Sequence, residues 1–272
     1  MASASVTAET SRKGSSLKKL HALSGVVPLG AFVVLHVWIT ASIVGSRAIY
    51  DHQVGLVHSG ILGVLEPLVI LPLLFHAAYG VVLAAGPRDP EHTYDTDLMA
   101  GLQRASGVVV LLFIGLHLWE FRWQTWTHGL PESAYSTKLV ADLSSTRWGV
   151  PWISLGYIVG MAGSVFHLVN GMTSFCTKFG YTSTAATQAR ARLLFRVAGI
   201  LLFAISSGIV VQLATGTRLF PATKPTWPAF ECGPAALPSP LPSHAIPAAT
   251  APRVAPPSSP SSSSPPLPSG GH

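Results

Sequence analysis

The sequence predicts an all-α membrane protein with five transmembrane helices, and three features carry this prediction. Only 10% of its 272 residues are charged, whereas soluble domains have about 25%. The mean hydropathy is +0.45. Five apolar segments also reach the roughly twenty residues that a spanning helix needs. They cover residues 20–45, 61–86, 103–123, 149–175 and 193–216.

The two ends of the chain differ from this apolar region. Residues 1–19 form a polar, basic N-terminal segment, and the apolar stretch that follows is too long for a signal-peptide core. We therefore expect a retained membrane anchor and a five-helix domain over residues 20–216. Residues 217–272 form a tail rich in Pro and Ser, which cannot bury a core and is predicted to be disordered.

Composition also excludes several classes of site. Two cysteines, Cys176 and Cys232, are too few for a disulfide framework or a thiolate cluster. No Cys-x-x-Cys-His occurs, so a haem would be held by coordination and packing alone. The basic residues are scattered, whereas nucleic-acid binding needs a concentrated basic face.

The loop charges orient the predicted helices. With the N-terminus in the cytoplasm and the C-terminus outside, ten Lys and Arg residues fall on the inner side and seven on the outer side. This orientation follows the positive-inside rule. Tryptophans mark the outer boundary, where they cluster as Trp119, Trp123, Trp126, Trp148 and Trp152.

Four of the eleven histidines lie inside apolar segments, each in a different one of the first four. His36 lies 17 residues after Lys19, which is about 25 Å along a helix. His117 lies five residues before Arg122. Both are therefore expected in the outer half of the membrane.

The other two histidines belong to helices that run inward. His76 lies 12 residues before Arg88, and His167 lies 11 residues before Lys178. Both are expected in the inner half. Depth thus sorts the four histidines into two pairs, His36 with His117 and His76 with His167.

Polar residues inside a span are expensive and indicate a functional site. Neutral imidazole is a strong iron ligand, and facing helices of a bundle commonly present cofactor ligands. Two histidines on opposite faces of a haem leave no open position on the iron, which is typical of electron transfer. We therefore predict two haems b held by the first four helices. Gly156, Gly160 and Gly163 on the helix of His167, and Gly80 near His76, leave room for the macrocycle.

Two other functions compete with haem binding as explanations of intramembrane histidines, namely zinc binding and proton or ion transport. Structural zinc needs ligands that converge at one depth, which this spacing does not provide. A proton or ion transporter without haem would use acidic partners, and the acids near the spans are Glu66 and Glu120.

At this point the sequence resembles a known family. The similarity is carried by LHALSGVVPLGAFVVLHVW (20–38), LPLLFHAAYGV (71–81), LQRASGVVVLLFIGLHLWE (102–120) and VFHLVNGMTSF (165–175). These stretches resemble the dihaem cytochrome b subunit of succinate dehydrogenase and fumarate reductase. The resemblance spans about residues 17–215. Two departures are Lys18-Lys19, where arginine is common in the family, and the long tail.

The resemblance implies a membrane anchor in the bacterial cytoplasmic membrane. It implies a flavoprotein subunit and an iron–sulfur subunit on the cytoplasmic face, and electron exchange between succinate or fumarate and a quinone, typically menaquinone. The family's axial ligands map onto His36, His76, His117 and His167. The chain itself has no dinucleotide motif for succinate chemistry. An alternative is the dihaem anchor of another quinone-linked enzyme, such as a hydrogenase or formate dehydrogenase.

Further site residues are predicted around the two pairs. Haem propionates need cations or hydrogen-bond donors near the membrane surface, and the candidates for propionate or quinone contacts near the inner pair are Lys19, His21, Ser24, Arg104 and Lys178. Glu66, ten residues before His76, is the candidate for quinone proton exchange, and Glu120 is a second carboxylate near a ligand. The histidines expected in solvated loops or the tail are His52, His58, His92, His128, His244 and His272.

Overall fold

Long helices make up most of the structure, a computed structural model that describes residues 16–58, 64–87, 96–217 and 219. Within these ranges the principal helices are α1 (Ser16–Gly45), α2 (Arg47–His58), α3 (Leu65–Ala85), α4 (Asp97–His128), α5 (Tyr135–Ser144), α6 (Trp152–Lys178) and α7 (Ala185–Thr215). The same ranges contain no strand, and their β pairing is one isolated bridge between Arg147 and Val150. The predicted all-α class is confirmed for the described residues.

Five of these helices are long and apolar enough to cross a membrane, namely α1, α3, α4, α6 and α7. Their large apolar side chains face outward, as on α3, where Leu68, Leu71 and Leu74 are 61–66% exposed. In water, a protein with such an exposed apolar surface would aggregate. Lipid tails are as apolar as these side chains, so they solvate the surface as well as a protein core does. The chain is therefore a multi-pass membrane protein, with the five spans that hydropathy predicts.

The helix boundaries differ from the apolar segments because polar caps start the helices. α4 begins at Asp97 rather than at residue 103, since the Thr96 side chain accepts a hydrogen bond from the Met99 backbone N–H at 3.2 Å. α7 begins at Ala185 rather than at residue 193, since Thr184 and Thr187 form a capping box. Most of the 1–19 segment, residues 61–63 of the second predicted span and nearly all of the predicted tail lie outside the described residues.

Two shorter helices occupy connections that the sequence predicted to be loops. α2 contains His52 and His58, and His128 ends α4, so these three histidines lie on helices. His58 is half-buried, and its ring lies edge-on to Tyr135 of α5 with ring centres 6.4 Å apart. The loop assignment is wrong here because α2 and α5 are amphipathic and too short to register in a membrane-hydropathy window. His92, His244 and His272 lie outside the described residues.

The buried apolar cluster lies where α2 and α5 pack across one end of the bundle. Its members are Ile43, Tyr50, Val54, Phe121, Tyr135, Leu139, Leu143, Ile209 and Val210. The Ser136 hydroxyl of α5 donates to the Asp51 carboxylate of α2 at 3.0 Å, and Ser154 of α6 donates to the Leu143 carbonyl at 2.6 Å. Burial raises the pKa of Tyr50 to about 12. This end is the one predicted to face outward.

The glycine stripe on α6 serves helix packing. A Cβ on Gly160 would collide with the Phe113 ring of α4, and one on Gly163 would lie 2.8 Å from Cγ1 of Val109. Only Gly156, of these three glycines, faces open space. The space predicted for a macrocycle beside Gly160 and Gly163 is filled by α4 side chains, because small residues let two spanning helices approach closely.

Two π-helical segments interrupt the spans. In α1 the segment Gly25–Gly30 contains Pro28, which has no N–H to continue the α-helical ladder. In α4 the segment Trp119–Trp123 begins directly after the turn that carries His117. Such segments are frequent at functional sites.

Candidate functional site

The four span histidines meet in two pairs across the bundle. His36 of α1 faces His117 of α4, with ring centres 5.8 Å apart and ring planes at 79°. His76 of α3 faces His167 of α6, with ring centres 6.2 Å apart and planes at 89°. These are the pairs that depth along the helices predicts.

The ring separations suit a metal ion between each pair. An imidazole nitrogen binds a transition metal at about 2 Å, and its ring centre lies roughly 1 Å farther away. Two imidazoles on opposite sides of one iron therefore have ring centres about 6 Å apart, close to the values found here. In the described ranges no group of three or more His, Cys, Asp or Glu side chains is placed to hold one metal ion. Each pair thus presents two facing imidazoles.

His76 is anchored to the helix opposite through one ring nitrogen. Its Nδ1 lies 3.0 Å from the His21 carbonyl oxygen and 3.4 Å from Ser24 Oγ. A carbonyl oxygen can only accept, so Nδ1 carries the proton and Nε2 keeps the lone pair that a metal needs. Ser24, predicted as a propionate or quinone contact, is buried beside His76 and donates to the His21 carbonyl at 2.9 Å.

His167 is held by polar groups of α4. Its Nδ1 lies 3.2 Å from the Gln103 carbonyl oxygen and 3.3 Å from the buried Ser106 hydroxyl. The Gln103 side-chain amide lies 3.1 Å from the same nitrogen, and its oxygen accepts from Asn170 at 2.9 Å. The sequence analysis did not single out Gln103, Ser106 or Asn170. Their position could have identified them, since each is a polar residue in an apolar segment and lies near the predicted depth of His167.

A third imidazole belongs to the inner pair. The His21 ring stacks on the His76 ring, with centres 4.0 Å apart and planes 8° from parallel. Its Nε2 is buried and has no hydrogen-bond partner among the residues that the structure describes. His21, predicted as a propionate or quinone contact, thus lies directly against a predicted ligand.

Glycines make the room for these three rings. A Cβ on Gly25 would collide with the His76 ring, one on Gly107 would lie 3.1 Å from Cε1 of His167, and one on Gly80 would lie 3.2 Å from Nε2 of His21. Sequence reasoning noted Gly80 because it lies one turn from His76 on α3, and it missed Gly25 and Gly107, which have no predicted axial ligand within one turn on their own helices.

The outer pair has a different polar neighbour. Nδ1 of His117 lies 3.2 Å from the Tyr157 phenol oxygen, and the Tyr157 O–H donates to Oε2 of Glu120 at 2.8 Å. Since the phenol proton is directed to the carboxylate, the phenol oxygen accepts from His117. His36 has an exposed side chain and stacks on Phe32, with ring centres 5.4 Å apart.

Glu66 is engaged in an ion pair. The Arg122 guanidinium binds both carboxylate oxygens of Glu66, and it also donates to Glu132 at 3.2 Å. The side chains of Arg122 and Glu66 are only 17% and 26% exposed. The pair therefore links α3 to α4. The sequence analysis used Arg122 only as a charge that marks the outer membrane boundary.

The three predicted cations lie toward the opposite end of the spans. Arg104 donates to the carbonyl oxygens of Ala84, Gly86 and Pro87, at 3.1–3.3 Å, and so satisfies the C-terminal end of α3. Lys19 and Lys178 have exposed side chains. Arg104 thus has a structural role that the sequence analysis did not predict.

Comparison with known proteins adds one relative. The succinate dehydrogenase cytochrome b558 subunit of Bacillus subtilis (strain 168) is 28% identical over 175 residues, which cover 63% of this chain and 83% of that subunit. No family model matches the chain, and no solved structure matches it. The chain is therefore similar, over 63% of its length, to the cytochrome b subunit of a succinate dehydrogenase.

Proposed function

We propose that the chain is the membrane-anchor cytochrome b subunit of a succinate:quinone oxidoreductase and holds two bis-histidine haems b. The single observation that carries the proposal is the pair of facing imidazoles at each of two depths, with ring centres 5.8 and 6.2 Å apart. The similarity to the succinate dehydrogenase subunit supplies the substrate class.

The chain's own residues would bind and orient the two groups. His36 and His117 would hold the outer haem, and His76 and His167 the inner one. The Nδ1 hydrogen bonds of His76 to the His21 carbonyl and of His117 to Tyr157 fix both rings and leave Nε2 free to bind metal. A bis-histidine haem b supplies one-electron redox chemistry without an open coordination position.

The proposed partners follow from the relative's name and from the charge distribution. A succinate dehydrogenase needs a flavoprotein and an iron–sulfur subunit, and we place them on the cytoplasmic face, next to His76 and His167. The positive-inside rule supports this orientation, with the N-terminus inside and the C-terminus outside the bacterial cytoplasmic membrane. Menaquinone is the proposed quinone, with Glu66 as the proposed proton-exchanging group.

Haem content of the purified complex tests the proposal. A pyridine haemochrome assay is expected to find two protohaems per chain, and the chain is expected to copurify with a flavin-containing and an iron–sulfur subunit. Zero or one haem per chain would overturn the dihaem assignment, and zero would favour a transporter. Two haems with hydrogenase or formate dehydrogenase subunits would instead identify another quinone-linked anchor.

A further inference from the structure

The two proposed haem sites differ in the charge that lies behind their histidine ligands. Behind His117, the Tyr157 phenol oxygen accepts from Nδ1, and the Tyr157 O–H donates to the Glu120 carboxylate. Behind His76 the contacts are with a carbonyl and a hydroxyl, and behind His167 with a carbonyl, a hydroxyl and an amide. Among the described contacts, only the outer site has an acidic group two hydrogen bonds from a ligand.

Among the described residues, the two cations near Glu120, Lys138 and Arg122, each bind another acidic side chain. Glu120 lines a surface cleft of about 690 Å³ at the outer end of α4, together with Lys138 and His128. The Lys138 ammonium lies 2.5 Å from the Asp142 carboxylate. The Arg122 guanidinium is bound to Glu66 and Glu132. The hydrogen bond from Tyr157 is thus directed to a carboxylate whose neighbouring cations are engaged by other acids.

An anion behind a ligand changes the stability of the two oxidation states. An acceptor on Nδ1–H makes the imidazole a stronger donor to the metal, and second-shell hydrogen bonds of this kind tune redox potentials. Both a stronger donor and a nearby negative charge favour the ferric form, which carries one more positive charge. The Tyr157 phenol transmits this effect because its oxygen accepts the hydrogen bond from His117 while its O–H donates to the Glu120 carboxylate.

We propose that Tyr157 and Glu120 are positioning residues that lower the midpoint potential of the outer haem. The inference rests on the proposed function, because it takes His117 as an iron ligand. It goes beyond that function in assigning a redox role to two residues outside the ligand set. At the inner site, the described groups that contact Nδ1 of His76 and His167 are neutral, so no carboxylate acts on those ligands in this way.

Redox titration of the purified complex tests the inference, with the outer haem identified as the spectral component that His36→Ala removes. Tyr157→Phe and Glu120→Gln are each expected to raise the ratio of reduced to oxidised outer haem about tenfold at a fixed potential, which is about 59 mV for one electron. Glu120→Asp keeps the charge and is expected to restore most of the wild-type potential. The inner haem is expected to stay unchanged in all three.

Glu132→Gln is the matched control, since it removes the same charge from the same end of the bundle without touching the Tyr157 chain. It is expected to leave the outer potential close to wild type. An unchanged outer potential in Glu120→Gln, or an equal shift in Glu132→Gln, would overturn the inference while two haems still bind. A wild-type complex without two haems would instead overturn the proposed function, and this inference with it.

Discussion

At the scale of single residues, the structure places imidazoles where apolar spans would otherwise exclude them. Four of them face each other in two pairs, and each pair draws one ring from each of two helices. A ligand role predicts that the members of a pair act together, because one histidine cannot hold a bis-histidine haem alone. A packing role predicts four independent, graded effects on stability.

Replacement of each histidine by alanine tests this pairing. His36→Ala and His117→Ala are expected to remove the same spectral component and to leave about one haem per chain. His76→Ala and His167→Ala are expected to remove the other component. Absorption spectra and haemochrome content of the four variants give the answer. Loss of the same component from His36→Ala and His76→Ala would contradict the pairing.

Gly25 is the residue whose small size matters most to the inner pair. Gly25→Ala would push a methyl group into the His76 ring, whose movement is restricted by the stacked His21 ring and by the hydrogen bond to the His21 carbonyl. Overpacking of this kind costs about 1–3 kcal/mol, and we expect the inner haem to be lost or weakened. Haem content per chain measures the effect.

Gly101→Ala is the control for this change, because a Cβ at Gly101 faces open space on the spanning helix α4. It is expected to retain both haems. Equal haem loss in the two variants would mean that alanine is tolerated poorly at any glycine of the spans, and that Gly25 has no particular relation to His76.

At the scale of whole elements, α3 is tied to α4 at both ends by polar contacts rather than by a packed core. Arg104 binds the C-terminal carbonyls of α3, and Arg122 binds Glu66 in its first turn. None of the described large apolar side chains of α3 is fully buried, and Leu68 and Leu71 are exposed. These two arginines therefore position the helix that carries His76.

Loss of the Glu66–Arg122 pair is expected to destabilise the protein. Arg122→Gln would leave a partly buried carboxylate without its guanidinium, at a cost of about 1–3 kcal/mol. Thermal unfolding in detergent measures this. Arg47→Gln is the control, since Arg47 of α2 is exposed and surface substitutions usually change stability by no more than about 0.5 kcal/mol.

Variants of the Glu66–Arg122 pair can distinguish a structural role of Glu66 from its proposed role in proton exchange. If Glu66 exchanges protons with quinone, Glu66→Gln is expected to lower quinone-dependent turnover per haem more than Arg122→Gln does. Both variants lose the ion pair, so the difference between them reports the carboxylate itself. Equal turnover per haem in the two variants would contradict the proton-exchange role and leave Glu66 a structural residue.

At the scale of the whole molecule, five spans with an inside N-terminus place the α2 and α5 end of the bundle outside. The buried cluster at that end includes Ile43 of α1 and Ile209 of α7, where both helices finish their predicted outward crossing. The connection between α6 and α7 would then lie in the cytoplasm. Membrane-impermeant thiol labelling distinguishes the two faces.

Single cysteines at exposed positions test this orientation after Cys176 and Cys232 are replaced by serine. Thr146→Cys, after α5, is expected to react with the reagent in intact cells. Ser183→Cys, between α6 and α7, is expected to react only after the membrane is opened. The reverse pattern would invert the protein in the membrane and place the inner haem site outside.

Local patterns in the sequence were enough to predict the membrane class, the five spans and the grouping of four histidines by depth. Hydrophobicity and the helical rise act along a single helix, so Lys19 and Arg122 already set the depths of His36 and His117. The sequence analysis did not predict the helix caps at Thr96 and Thr184 or the amphipathic helices α2 and α5. A hydropathy pattern does not detect polar residues that start a helix, nor helices this short.

Only the tertiary structure decided which groups surround each histidine. His21 on His76, Tyr157 and Glu120 behind His117, and Arg122 on Glu66 join residues far apart in the sequence. These contacts depend on how each helix is rotated about its axis, and packing between helices sets that rotation. The sequence by itself determined four histidines at two depths, and the fold decided that each pair meets at a distance suited to one iron.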